Sequence, residues 1–182
     1  MADYNSAYTG PQIDAAIGRA AVKAFGWQDF QDTATAITPI SLTTAGVWYN
    51  LTNNAAGPLS STVYKVATHG AIWNSSINSF DFSTLSIGDV VRFRTDISFT
   101  TSGVNHEIST RLAFGPGLVF SIPFDSQDVK AASTKRRIRY WALTIKNDDT
   151  RLNPAKLQVS SDGSGDTVVV GGWQVETQVF VA

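Results

Sequence analysis

Two histidines, His69 and His106, and two glutamates, Glu107 and Glu176, are the scarcest proton-moving side chains in this 182-residue sequence. Metal sites built on histidine usually place a second ligand three or four residues away, and neither histidine has another at that spacing. His106 and Glu107 are neighbours in an alternating run, so a strand would point them to opposite faces. A Ser-His-Asp triad is assembled in space and stays open, but no G-x-S-x-G elbow presents a nucleophile. Glycoside hydrolysis needs two carboxyl groups on one rigid face. Asp96, Glu107 and Glu176 are the candidates, and strand alternation reads them more simply as solvated charges. Asp162-Gly163-Ser164-Gly165-Asp166 has the acidic spacing of a small calcium loop, but Trp173 stands where the twelfth-position acid belongs. There is no cysteine, which removes disulfides, thiolate chemistry and zinc–sulfur sites. The expectation is a chain with no catalytic residue, no metal site and no cofactor.

The strongest local charge feature is basic: Lys130, Lys135, Arg136, Arg137 and Arg139. Such a patch suits an acidic partner, whether phosphate, sulfated sugar or acidic protein surface. The competing reading is a solvated run guarding an exposed strand edge. With 14 basic and 15 acidic residues the formal charge is -1, which disfavours a general nucleic-acid binder. The 5 Trp, 5 Tyr and 10 Phe supply either sugar-stacking rings or core. Gly171-Gly172 follows a valine run but leads to Trp173 and another strand, not to a phosphate-cradling helix.

The elements that must position these groups fall into two kinds. Gly10-Pro11 suits a helix start, and Ile13, Ile17, Ala20 and Ala24 share one helical face before Gly26 stops it. About fourteen residues are marginal as an isolated helix, so this one must pack on its own domain or on copies of itself. Beyond Gly26 the period becomes two. Val91, Phe93, Thr95, Ile97 and Phe99 alternate with Arg92, Arg94, Asp96 and Ser98. The same pattern covers Ile108–Phe114 and Trp173–Val181, with weaker strands at 35–42, 47–52, 63–68, 119–124, 157–161 and 167–170. Residues 137–145 set Arg137 and Arg139 on one face with Trp141, Leu143 and Ile145. Segment 70–86 reads as a loop carrying Trp73, Phe80 and Phe82 as plugs. Low charge (16%) with abundant Ser and Thr suits such a chain. The fold class is therefore mainly β: an antiparallel β-sandwich or jelly roll over 27–182, preceded by a 1–26 segment with one short N-terminal helix. No run of 18 apolar residues and no secretory leader are seen, so cytoplasmic synthesis and no membrane partner are expected.

Tyr8-Thr9-Gly10-Pro11-Gln12-Ile13-Asp14-Ala15-Ala16-Ile17 resembles the Y-T-G-x-Q-I-D-x-A-[VI] opening shared by many tailed-bacteriophage virion proteins. These include head fibres, capsid decoration proteins and the anchoring ends of tail fibres. The strand run Ile87–Phe93 is similar in pattern to the trimeric jelly-roll heads borne by such openings. The resemblance implies a structural, non-enzymatic protein of the virion, made in the host cytoplasm. Tyr8, Thr9, Gly10, Pro11, Gln12, Ile13, Asp14 and Ile17 would anchor it to the major capsid protein or another virion component. Ile13, Ile17, Ala20 and Ala24 would meet in a homotrimer. A chain this short favours capsid decoration or a short head fibre over a tail fibre. On a tail fibre or spike, the partner would be a host-surface glycan.

Overall fold

The computed structural model describes residues 22–115 and 120–180. In chain order the strands are β1 (Val22–Gln31), β2 (Ile40–Leu42), β3 (Tyr49–Asn50), β4 (Trp73–Asn74), β5 (Ser79–Phe80) and β6 (Val90–Thr100). They continue as β7 (His106–Phe114), β8 (Phe120–Val129), β9 (Thr134–Thr144), β10 (Ala155–Ser161) and β11 (Asp166–Phe180), with helix α1 (Asp148–Leu152) before β10.

Two antiparallel sheets result. One orders β1, β11, β6 and β9, with β2 paired to the start of β11. The other orders β4, β5, β10, β7 and β8, with β3 also on β10. β3 pairs with β10 at Gln158 and Val159 and β5 pairs with it at Ala155, so the two together cover the edge of β10 that β7 leaves open. The chain then crosses between two layers in the strand order of a jelly roll. Val91, Phe93, Ile97 and Phe99 of β6 face inward against Leu112, Phe114, Leu157 and Val159 of the second sheet. Trp73, Phe80 and Phe82 are buried as expected, but segment 70–86 is not wholly loop, because Trp73 and Phe80 sit in the short paired strands β4 and β5. Trp73 meets Trp173 edge-on at 4.8 Å and Phe80 meets Phe93 at 5.0 Å, distances at which aromatic pairs add to simple burial.

Where the structure departs from the sequence pattern, backbone contacts explain it. Residues 22–26 belong to β1, so Ala24 and Gly26 are strand and the 26/27 boundary falls inside that strand. Gly26 lies under a crossing segment, where a Cβ would stand 2.4 Å from the Val66 amide nitrogen. The anchoring residues Tyr8–Ile17, and Ala20 of the expected helix face, lie outside the described residues. Residues 63–68 form turns rather than a strand, although Trp27 donates its N–H to the Tyr64 carbonyl at 3.0 Å. The 35–42 run shortens to β2, because the Asp32 carboxylate accepts the Thr35 N–H and hydroxyl at 2.7 and 2.6 Å and turns the chain. A helix not expected from the sequence, α1, is started by Asn147, whose side chain accepts the Thr150 N–H.

The valine run and the Trp173 run are a single strand, β11, broken in register at Gly171-Gly172. Gly172 has φ +139 and a Cβ there would lie 2.4 Å from the Phe30 carbonyl oxygen. This bulge lets Val168 and Val170 on one side, and Trp173 and Val175 on the other, all point into the core.

Candidate functional site

The register of the first sheet sets its outer face. Trp27, Glu176, Arg92 and Ala142 form one row across β1, β11, β6 and β9, and Asp29, Gln174, Arg94 and Tyr140 form the next. Between these rows lies a groove of about 300 Å³ lined by Arg92, Arg94, Tyr140, Ala142, Gln174 and Glu176. Among the described residues neither Arg92 nor Arg94 makes a hydrogen bond or contact ion pair. Arg94 also borders a second depression toward Gln31, Leu59 and Gly171. Burial raises the Asp29 carboxyl above its ordinary value, and the Arg94 charge pulls it the other way. Tyr140 is 73% exposed, which leaves its ring open to a ligand. On the far side, Trp27 stacks on Tyr64 with ring centroids 4.6 Å apart.

The five basic residues singled out by the sequence are not brought onto one surface. β9 is an edge strand, and its alternation sends Arg136 to the outer face and Arg137 and Arg139 to the inner one. Arg136 grips Asp96 with both Nε (2.8 Å) and Nη2. Arg137 is buried, giving Nη1 to Asp125 at 2.7 Å, with its carbon 5.5 Å from the Phe99 ring centroid. Its Nε and Nη2 have no partner among the described residues, and burial lowers its pKa against the pull of Asp125. Arg139 shares Asp125 at 3.0 Å. Lys130 and Lys135 are exposed, Lys130 just beyond β8 and Lys135 on β9.

The histidines sit in structural settings. His106 Nδ1 lies 2.9 Å from both Asp166 oxygens, and Asp166 also accepts from Ser161 Oγ at 2.6 Å and from the Ser102 N–H at 2.7 Å. Glycine backbones hem in the other ring nitrogen, since a Cβ at Gly103 or Gly163 would stand 2.7 or 2.4 Å from Nε2. Through its hydrogen bonds Asp166 ties His106 and Ser102 to Ser161 and the 162–165 turn. Burial pushes the Asp166 carboxyl up, but its hydrogen bonds outweigh this and leave it below its ordinary value. The two acids of the 162–166 loop are used apart: Asp162 accepts the Glu107 N–H at 2.7 Å while Asp166 turns inward. His69 is buried 3.9 Å from Asp89, and burial holds it below its ordinary pKa despite that carboxylate. Of the carboxylates considered for hydrolysis, Glu107 lies on the other sheet. Asp96 and Glu176 are two rows apart, roughly 13 Å along the strands. That exceeds the separation of glycosidase pairs.

The second sheet has its own outward arginine. Arg111 lies over the Trp48 ring at 4.1 Å and donates Nε–H to Gln158 at 2.9 Å, and Gln158 in turn donates to Asn50 at 2.8 Å. The Arg92–Arg94 groove was half visible in the sequence, which placed both arginines on a polar strand face. Tyr140 and Gln174 carried no signal, because only register brings them alongside.

No family model matches the chain, and no curated protein matches it. Among solved structures, the CBM22-1 xylan-binding domain of Paenibacillus barcinonensis Xyn10C is similar at 12% identity over 57% of this chain and 65% of that one, TM-score 0.35. PRD1 vertex protein P5 is similar at 11% identity over 87% of this chain and 74% of that one, TM-score 0.43. The infectious bursal disease virus Gx strain structure gives 10% identity over 87% of this chain and 33% of that one, TM-score 0.40. The chain thus spans about two thirds of the xylan-binding domain and a third of the bursal virus protein.

Proposed function

We propose that this chain is a structural, non-enzymatic component of a viral particle, a capsid decoration or short head-fibre protein of a tailed bacteriophage. Its N-terminal segment fastens to the shell, and the jelly roll projects from it. The observation that carries the reading is positional. The Tyr8–Ile17 opening ends only a few residues before β1, so the anchoring motif feeds directly into a self-contained jelly roll.

Association as a homotrimer is supported by where apolar surface remains. Phe25 on β1, and Val63 and Tyr64 on the segment bonded to it, are 54%, 81% and 59% exposed. They collect near the start of β1, which lies a few residues further along the sequence than Ile13, Ile17 and Ala20. Apolar area of this kind is stabilised by burial against a neighbouring copy. Repeated weak contacts on a lattice then sum to firm attachment.

The test is cosedimentation with capsids. A chain lacking residues 1–21 keeps β1 intact and is expected to fold while losing capsid binding; retained binding contradicts the reading. Sedimentation equilibrium of the full chain is expected to give three copies, and a stable monomer would count against it.

A further inference from the structure

We infer that the groove between Arg92, Arg94 and Tyr140 binds a sugar ring bearing a carboxylate, such as a uronic or sialic acid unit of a surface polysaccharide. The inference is independent of particle attachment, since the groove lies wholly within β6, β9 and β11.

Three properties of the groove point to that ligand. Two guanidinium groups and the Glu176 carboxylate line the groove, Asp29 stands in the Arg94 row, and among the described residues neither arginine is hydrogen-bonded or in a contact ion pair. A guanidinium offers a planar fork of N–H donors that matches a carboxylate in bidentate fashion, and one already committed to a protein acid would have nothing to offer. The floor is amphipathic, with the exposed Tyr140 ring and Ala142 next to Gln174 and Glu176. A pyranose has that duality, an apolar C–H face and a rim of hydroxyls, and Gln174 and Glu176 supply a donor and acceptors for the rim. The volume, about 300 Å³, is at the lower end of small-molecule sites and suits one or two rings.

The same features disfavour other occupants. Glu176 in the groove and Asp29 in the adjoining row make the site poorly suited to phosphate-dense nucleic acid, as does the chain's formal charge of -1. A neutral sugar would leave both guanidinium groups without a bidentate acceptor.

The experiment uses the full-length protein and isothermal titration with tetragalacturonate and with sialyllactose, which distinguish the two sources of carboxylate. Xylotetraose serves as the neutral match and poly-glutamate as the non-sugar polyanion. At least one carboxylated saccharide is expected to bind, with xylotetraose and poly-glutamate at least tenfold weaker. Arg92→Ala and Arg94→Ala should each weaken binding roughly tenfold to a hundredfold, and Tyr140→Ala by several-fold. Arg111→Ala, on the opposite sheet, should leave it unchanged. Unchanged melting of the groove variants would show that they fold. No binding of either carboxylated sugar, equal binding of poly-glutamate, or full binding by Arg92→Ala/Arg94→Ala overturns the inference. An equal response to poly-glutamate would instead identify an acidic protein segment as the ligand.

Discussion

The outer faces of the two sheets treat arginine in opposite ways. On the β10–β7–β8 side, Arg111 is stacked on Trp48 and tied to Gln158, which is tied to Asn50. Every link in that chain stays within the domain, and burial lowers the Arg111 pKa. On the β11–β6–β9 side, Arg92 and Arg94 stand beside an open groove with no such partners among the described residues. A cation consumed by its own fold contributes packing and a fixed surface. One left without partners contributes little to the fold and remains available to a ligand. The difference comes from neighbours rather than from residue type, because both faces are alternating polar rows of antiparallel strands.

The largest perturbation of this contrast is expected from Gly172→Ala. The bulge there decides that Gln174 and Glu176 face outward while Trp173 and Val175 face inward. With φ at +139 and the Phe30 carbonyl in the way, the change should cost about 3 kcal/mol by denaturant unfolding and should abolish the groove. Next in size is Arg111→Ala, which removes a cation–π contact and leaves the Gln158 side chain short of a donor. About 1–2 kcal/mol of stability should be lost, with ligand binding untouched.

Acid separates folding from the groove in another way. His69 is held below its ordinary value of 6.5, so the unfolded chain takes up that proton first as pH falls. Stability should therefore decline below about pH 6.5, and His69→Gln should remove that decline. Asp166 is held below 3.8, so its contribution is present above about pH 4 and fades as pH drops through its folded value. Neither group lies on the groove. The smallest stability effect is expected from Arg92→Ala and Arg94→Ala, within about 0.5 kcal/mol in thermal or chemical unfolding. A loss of several kcal/mol at either position would erase the distinction between the two faces.

Much of the sandwich was legible because one face of β6, β7 and β11 is buried, and the apolar alternation of Val91–Phe99 and Ile108–Phe114 records it. β1 was not, because its pattern is inverted. Phe25 and Trp27 point outward, while Gly26 and Gln28 point in. The reason is that its inner side meets backbone instead of side chains. The Gln28 amide accepts the Ile72 N–H at 3.1 Å, and Gly26 makes room for Val66. A glutamine serving a loop carries no hydrophobic signature, so the run read as the end of a helix. The basic cluster misled in the opposite way. Lys135, Arg136, Arg137 and Arg139 were split between two faces by the period of β9, Lys130 fell just beyond β8, and Arg137 entered the core with Asp125 as its counterion. The groove was only half visible because which residue of β9 or β11 lies opposite each arginine is fixed only by register.

The contrast between an occupied arginine and two open ones can be read directly by NMR, from the Nε–H resonances of arginine side chains during titration of the full-length protein with the carboxylated saccharide. Arg92 and Arg94 are expected to shift and gain protection from solvent exchange while Arg111 stays in place. Movement of Arg111 with Arg92 and Arg94 unchanged would contradict the account.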